Sequence, residues 1–341
     1  MKKKKISASA KRTMLIVLSV VLALILVALI VGTAYMESLL NLINKNPDDS
    51  TMSAEEYQDF INNQAQDFTG EADNPNDVEW DSHNMTVKDE EHIINIMLIG
   101  QDRRPGEGRT RSDVMILCTV NKATQELTLT SFMRDMYVQI PGYQDNKMNA
   151  TYAFGGMDLL DKCMEVNFGV HIDGNMEVDF DGFIDIIDLM GGVDIYLSNS
   201  EANHLIKQGY SVSAGNNRLN GEAALAYTRN RSIGNADFDR TGRQRKVMNA
   251  LFEKCRGMNL SQLKNLMEKA LPMITTDLTN RQLLDYITDV LPMLTNMKVN
   301  NQRIPADDTF TYASYTHAGS VLVPDLKANR ELLLSAMAKT K

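Results

Sequence analysis

The chain has 341 residues, 43% apolar and 23% charged, with a formal net charge of −9. A length prior of about 150 residues per domain allows two domains or one large domain with appendages. This composition excludes wholesale disorder, a collagen-like repeat and a small disulfide scaffold, and the acidity argues against a broad nucleic-acid surface.

The charge is segregated. Residues 1–12 hold Lys2, Lys3, Lys4, Lys5, Lys11 and Arg12 and no acid. From Met14 to Val31 the only non-apolar residue is Ser19. About 20 apolar residues span a bilayer as a helix, so 13–36 reads as a transmembrane signal anchor. Gly32-Thr33-Ala34 is small enough for cleavage, but the apolar run before it is longer than a signal-peptide core. Positive charge before the helix and Glu37 after it place the N-terminus in the cytoplasm and the rest of the chain outside.

Residues 37–91 carry 15 acidic side chains against Lys45 and Lys88, a net of −13. Few apolar clusters interrupt them, and the segment reads as a solvated tether. A folded domain is expected to begin near His92. Ile93–Ile99, closed by Gly100, is an almost continuous apolar run, as in a strand covered on both faces. Val114–Val120 is a second such run, and Leu127, Leu129 and Ser131 alternate as a third strand. Helical spacing follows over 149–168, with Gly155-Gly156 as a break or close-packing point. Met176–Phe180 alternates as a strand, Asp181 opens a short helix, and Val193–Leu197 is a further strand. Helices are expected after Leu219, over 243–254, 260–271 and 281–291, with a returning strand near 297–304. Strands and helices interleave, which predicts a three-layer α/β/α domain with a mixed central sheet. Residues 92–256 form its chemical part, and 257–341 complete the fold.

Two places concentrate charge. The loop after the first strand holds Asp102, Arg103, Arg104, Arg109, Arg111 and Asp113 around a glycine-rich turn. It lies at the carboxyl end of a buried strand, where open α/β sheets bind ligands. The second place runs from Arg229 and Arg231 through Asp237, Arg240, Arg243, Gln244 and Arg245. Between them lies Arg134-Asp135, again just after a strand. Arginine forks bind phosphate oxygens bidentately, and Asp102 and Asp113 suffice for magnesium, which takes one or two protein carboxylates beside phosphate and water. Together these parts fit a pyrophosphate and its metal; a surface ion-pair ladder is the plainer alternative. Cys118, Cys163 and Cys255 have no metal-ligand spacing and read as buried thiols. A phosphate-binding P-loop and a hydrolytic triad lack their motifs.

The ordered motifs resemble a known family. They comprise Gly100-x-Asp102-x-Arg104, Arg111-Ser112-Asp113, Ser131-Phe132-x-Arg134-Asp135 and Lys147-Met148-Asn149-Ala150-x-Tyr152-x-Phe154-Gly155-Gly156. Asp179-Phe180-x-Gly182-Phe183, Gly191-Gly192-Val193, Leu219-Asn220-Gly221 through Tyr227-x-Arg229-x-Arg231, and Asp237-Phe238-x-Arg240-x-x-Arg243-Gln244 follow. Over about residues 92–255 the chain resembles the LytR-CpsA-Psr family, often labelled transcriptional attenuators but understood as extracytoplasmic bacterial phosphotransferases. The resemblance implies an α/β/α sandwich with an apolar channel for a polyprenyl chain. It also implies transfer of a glycopolymer, such as teichoic acid or capsular polysaccharide, from undecaprenyl pyrophosphate to peptidoglycan. Asp102 and Asp113 would hold magnesium; Arg111, Arg134, Arg229, Arg231 and Arg240 would clamp the pyrophosphate, with Gln244 hydrogen-bonding nearby. Asp237 would either orient an arginine or activate the acceptor hydroxyl. Asp239 departs from the small residue common at its position, and no motif carries over beyond residue 257. A lipid-pyrophosphate hydrolase and a non-catalytic wall-polymer sensor are the alternatives.

Overall fold

The computed structural model describes residues 32, 34–45, 47–80, 86–102 and 108–338. Of the segment 13–36 expected to be an anchor, residues 13–31 and 33 lie outside them, as do the loop residues Arg103 and Arg104. Among the described residues no helix is long and apolar enough to cross a membrane.

Six strands make the central sheet: β1 (Ile93–Gln101), β2 (Ser112–Asn121), β3 (Glu126–Phe132), β6 (Gly174–Asp179), β9 (Thr275–Thr276) and β10 (Lys298–Ile304), in the order β10-β3-β2-β1-β6-β9. Between β3 and β6 lie β4 (Tyr137–Val138) and β5 (Asn146–Lys147), which pair with each other; β7 (Val193–Leu197) pairs with β8 (Gly215–Leu219), and β11 (Phe310–Tyr315) with β12 (Gly319–Pro324). The sheet is mixed: β1–β2, β2–β3 and β6–β9 are antiparallel, whereas β1–β6 and β3–β10 are parallel.

The apolar runs of β1 and β2 are continuous because both sheet faces are covered. Ile93, Met97, Ile99, Met115 and Leu117 point to one face, against the Met148–Phe168 and Leu326–Ser335 helices. Ile94, Ile96, Leu98, Ile116 and Cys118 point to the other, where Met248, Phe252 and Tyr286 cover them from the Ala236–Arg256 and Asn280–Val290 helices. Asn95, 2% exposed within β1, is satisfied by Thr119 Oγ1 at 2.9 Å and His171 O at 2.9 Å.

Gly155-Gly156 breaks the 148–168 helix as expected: Gly156 adopts φ 64°, and a Cβ there would strike Asp49. Gly221 lets the Gly221–Arg229 helix touch the backbone of Ile184 in the Phe180–Leu189 helix. The 257–341 segment supplies both edge strands, β9 and β10, of the sheet.

The acidic segment departs from the tether reading over three stretches. Leu40 and Ile43 are buried against Leu278 and Leu283. The Ala54–Asp67 helix sets Tyr57 and Phe60 edge-on to Phe154, with centroids 5.2 and 4.9 Å away. Trp80 stacks on Tyr137 at 5.8 Å and donates to Asp145 at 2.7 Å. Few apolar residues suffice here because they are spaced to reach pockets that the rest of the chain builds. The cysteines are free, and burial pushes the Cys118 and Cys163 thiols up to about 12, which leaves them unreactive.

Candidate active site

The strand directions bring distant charges to one edge of the sheet. β1 runs antiparallel to β2 and β2 to β3, so the end of β1, the start of β2 and the end of β3 lie side by side. These positions carry Asp102, Asp113 and Arg134. β6 runs parallel to β1 and ends at Asp179, whose side chain caps the Phe180–Leu189 helix through Gly182 N at 2.8 Å. The Gly221–Arg229 helix delivers Arg229 in its last turn. On the Ala236–Arg256 helix, Asp237, Arg240 and Gln244 recur three and four residues apart on one face.

Asp237 is the hub. Its Oδ1 lies 3.1 Å from Arg240 Nη2, 3.2 Å from Arg231 Nε and 3.9 Å from Arg134 Nε. Arg134 also bonds Asp113 at 2.9 Å and Asp135 at 3.3 Å, and Asp135 takes Lys147 at 2.8 Å. Arg231 reaches Asp113 at 3.9 Å. Arg229 donates to Asp102 at 3.1 Å with its guanidinium 4.7 Å over Phe180. A surface ladder of i,i+3 pairs does not look like this, because the partners come from four separate elements.

Two cavities meet at Asp113. One, about 450 Å³, runs between the sheet face of Leu98 and Ile116 and the helices bearing Phe183, Ile186 and Met248, with Arg229, Arg231, Arg240 and Gln244 also in its wall. Its lining is mainly apolar. The other, about 390 Å³, is polar and bordered by Asp102, Thr110, Arg111, Asp113, Arg134, Asp135, Lys147 and Asn149.

Burial shapes the charges. Arg240 is 3% exposed, and burial presses its pKa down to about 10, partly offset by Asp237. It stays a cation at neutral pH, and its buried Nε has no hydrogen-bond partner. Burial works against the charge of Arg134, but Asp135, Asp237 and Asp113 outweigh it and hold its pKa above the usual value. Burial also disfavours the Asp135 carboxylate, and Lys147, Arg134 and Arg240 overcome that and lower its pKa. Burial and the neighbouring Arg134 lower Arg111, against the opposing pull of Asp135; its guanidinium sits 4.5 Å over Phe60.

Two other arginines singled out in the sequence, Arg109 and Arg243, tie backbone carbonyls. Arg109 donates to the carbonyls of Ser50 and Ala153 and ties the acidic segment to the domain. Arg243 Nη2 holds the carbonyl of Asn230 at 2.6 Å and thereby the 229–231 loop. Arg245 sits beside Arg303, and burial with that neighbour lowers its pKa to about 10.

Sequence reasoning assigned no site role to Asp135, Lys147, Thr110 or Asn149. Lys147 and Asn149 belong to the Lys-Met-Asn motif, which was the available signal. Among the described residues no group of three or more His, Cys, Asp or Glu is placed to hold a metal. A magnesium ion needs fewer carboxylates when phosphate and water complete its shell. Asp102 and Asp113 border one basin, and the buried oxygens Thr110 Oγ1 and Asn149 Oδ1 beside them lack partners. This hard-oxygen set fits such a cation.

The LytR_cpsA_psr family model matches residues 57–330, most of the chain and well beyond the motif-bearing part. The chain belongs to this family. Among its relatives, the polyisoprenyl-teichoic acid–peptidoglycan teichoic acid transferase TagU of Bacillus mycoides is 34% identical over 217 residues, 63% of this chain and 69% of that protein. Regulatory protein MsrR of Staphylococcus aureus is 36% identical over 177 residues, 51% of this chain and 53% of that one. Of solved structures, Bacillus subtilis TagV superposes with a TM-score of 0.59 at 25% identity, covering 73% of this chain and 98% of its own. TagT bound to LI-WTA superposes at 0.60 and 24% identity, covering 76% of this chain and 99% of its own. The family fold is thus shared.

Proposed function

We propose that this protein transfers a glycopolymer from a polyprenyl pyrophosphate to peptidoglycan, as the name of its TagU relative describes for that enzyme. The observation that carries the reading is the junction at Asp113: an apolar cavity with a mouth of arginines, opening beside a polar basin. A lipid pyrophosphate has the same two-part chemistry. Its hydrocarbon chain suits the cavity, and its charged head suits Arg134, Arg229, Arg231 and Arg240.

In this reading a peptidoglycan hydroxyl, the 6-hydroxyl of N-acetylmuramic acid, attacks the sugar-proximal phosphorus in line. The bond to the bridging oxygen breaks, the hydroxyl proton ends on the released lipid phosphate, and a phosphodiester joins polymer to wall. The arginines neutralise the equatorial and leaving oxygens, and their fixed directions spare the reorganisation that water would require. Asp237 contacts three guanidiniums, which favours orienting them over activating the hydroxyl. Gln244, one turn after Arg240, would hydrogen-bond at the mouth. Magnesium held by Asp102 and Asp113 would add charge neutralisation at the pyrophosphate. The apolar 14–31 run would anchor the chain in the bacterial cell membrane, N-terminus inside, and keep the site near a lipid-borne donor.

The test combines the purified chain with magnesium, a defined undecaprenyl-pyrophosphate-linked glycan and a soluble peptidoglycan oligomer, and follows the phosphodiester conjugate by mass spectrometry. Conjugate should form, and should vanish in Arg229→Ala and Asp113→Ala and on chelation. Free glycan phosphate without conjugate would make the protein a hydrolase; bound, intact donor would make it a binding protein.

A further inference from the structure

A second surface leads away from the arginine mouth. Phe238 follows Asp237 on the same helix, and its ring stacks with Phe310 of β11 at 5.4 Å and 28°. Phe310 meets Tyr312 edge-on at 5.5 Å. The Arg303 guanidinium covers Phe238 from 4.5 Å, so the free end of this ladder is Tyr312, 74% exposed. Tyr312 borders a cavity of about 480 Å³ walled also by Trp80, Asp73, Asp77, Glu79 and Asp325. Among its described lining residues Lys327 is the sole cation. A large exposed ring at the end of an aromatic ladder has little packing of its own to explain it, and the ladder's inner ring, Phe238, is the chain neighbour of Asp237.

We propose that this ladder and groove bind the glycan strand of the peptidoglycan acceptor. The inference rests on the transferase reading and names the acceptor's place. The chemistry separates the two substrates. The donor is polyanionic, so four carboxylates in the groove repel it. The glycan backbone of a peptidoglycan strand is uncharged: it presents apolar C–H faces of pyranose rings, which pack on an aromatic face, and hydroxyl and amide donors, which carboxylates accept. Its path along Tyr312, Phe310 and Phe238 leads to the first turn of the helix that carries Asp237.

Trp80 is the protein's one tryptophan and lines the groove, so its fluorescence reports occupancy. Titrating the full chain in detergent with a soluble, uncrosslinked peptidoglycan oligomer should change Trp80 emission saturably. Tyr312→Ala should raise the half-saturation concentration about tenfold, as loss of an aromatic anchor does, and Tyr312→Phe should restore it. In conjugate synthesis the same variant should raise the acceptor KM about tenfold while leaving the donor KM and saturated turnover unchanged. An unchanged acceptor half-saturation in Tyr312→Ala would overturn the proposal, as would Trp80 quenching by a glycerol-phosphate polymer in place of the oligomer. If the wild-type chain made no conjugate, the transferase reading would fail, and the fluorescence titration would still decide whether the groove binds the strand.

Discussion

The two cavities that meet at Asp113 share a wall and little else. The larger takes its lining from the apolar face of the last part of β1, the first part of β2 and the end of β6, and from the helices packed over that face. The smaller is made of strand ends, where side chains leave the sheet and charges keep company with one another. The difference teaches that one sheet edge presents two chemistries side by side. In the proposed reading, dispersion and exclusion of water would hold the hydrocarbon on one side, while arginine forks and hard oxygens would hold the head on the other.

The largest break in this comparison should come from the shared wall. Arg134→Ala removes the cation that Asp113, Asp135 and Asp237 all contact and leaves them to Arg231, Lys147 and Arg240. Conjugate formation should fall by about 10²–10³-fold, and Arg134→Lys should not restore it, because an ammonium cannot reproduce the planar fork. Lipid-headgroup affinity, read by competition with a short-chain pyrophosphate, should fall with it.

A gentler change sharpens the contrast. Ile186→Trp fills the apolar cavity without touching the charges. It should raise the KM for a long-chain donor about tenfold and leave a short-chain donor nearly unaffected. Equal effects on both chain lengths would mean that the cavity is not where the hydrocarbon lies.

The smallest effect lies away from both cavities. Burial raises the Asp161 carboxyl to about 7, with Asn175 donating to it and Asp277 and Asp158 nearby. A folded-state value above the unfolded one favours the fold below about pH 4, and that advantage is lost as pH rises through about 7. Asp161→Asn should therefore flatten the fall in Tm between pH 5 and pH 8 while leaving conjugate formation intact. A fall of the same size in the variant would place the titration elsewhere.

Much of the fold is legible in the chain. Ile93–Ile99 and Val114–Val120 announce doubly covered strands because both faces demand apolar residues. Gly155-Gly156 announces a break, since one glycine occupies a positive φ that a side chain would resist. The Asn199–Lys207 helix is illegible in the pattern because its nine mostly polar residues are too few for a strong period, and β11 because most of its residues are exposed or half-buried. Over three stretches the acidic 37–91 segment docks where its composition predicts a tether. Composition averages away the few residues, Leu40, Ile43, Tyr57, Phe60 and Trp80, that dock.

The site divides in the same way. Charge density and motif order, which are local properties of the chain, determined that arginines and aspartates cluster after strand ends and that phosphate chemistry was to be sought there. Which of them converge was decided by the tertiary structure. Arg109 and Arg111 are two residues apart, yet Arg109 ties down carbonyls of the acidic segment and Arg111 borders the basin. Asp113 and Arg231 lie within 3.9 Å only because strand register and helix packing bring distant parts of the chain to one edge. Spacing along a chain predicts neighbours on one helix or strand. A site assembled from several elements depends on how their faces are buried together, and that is a property of the whole fold.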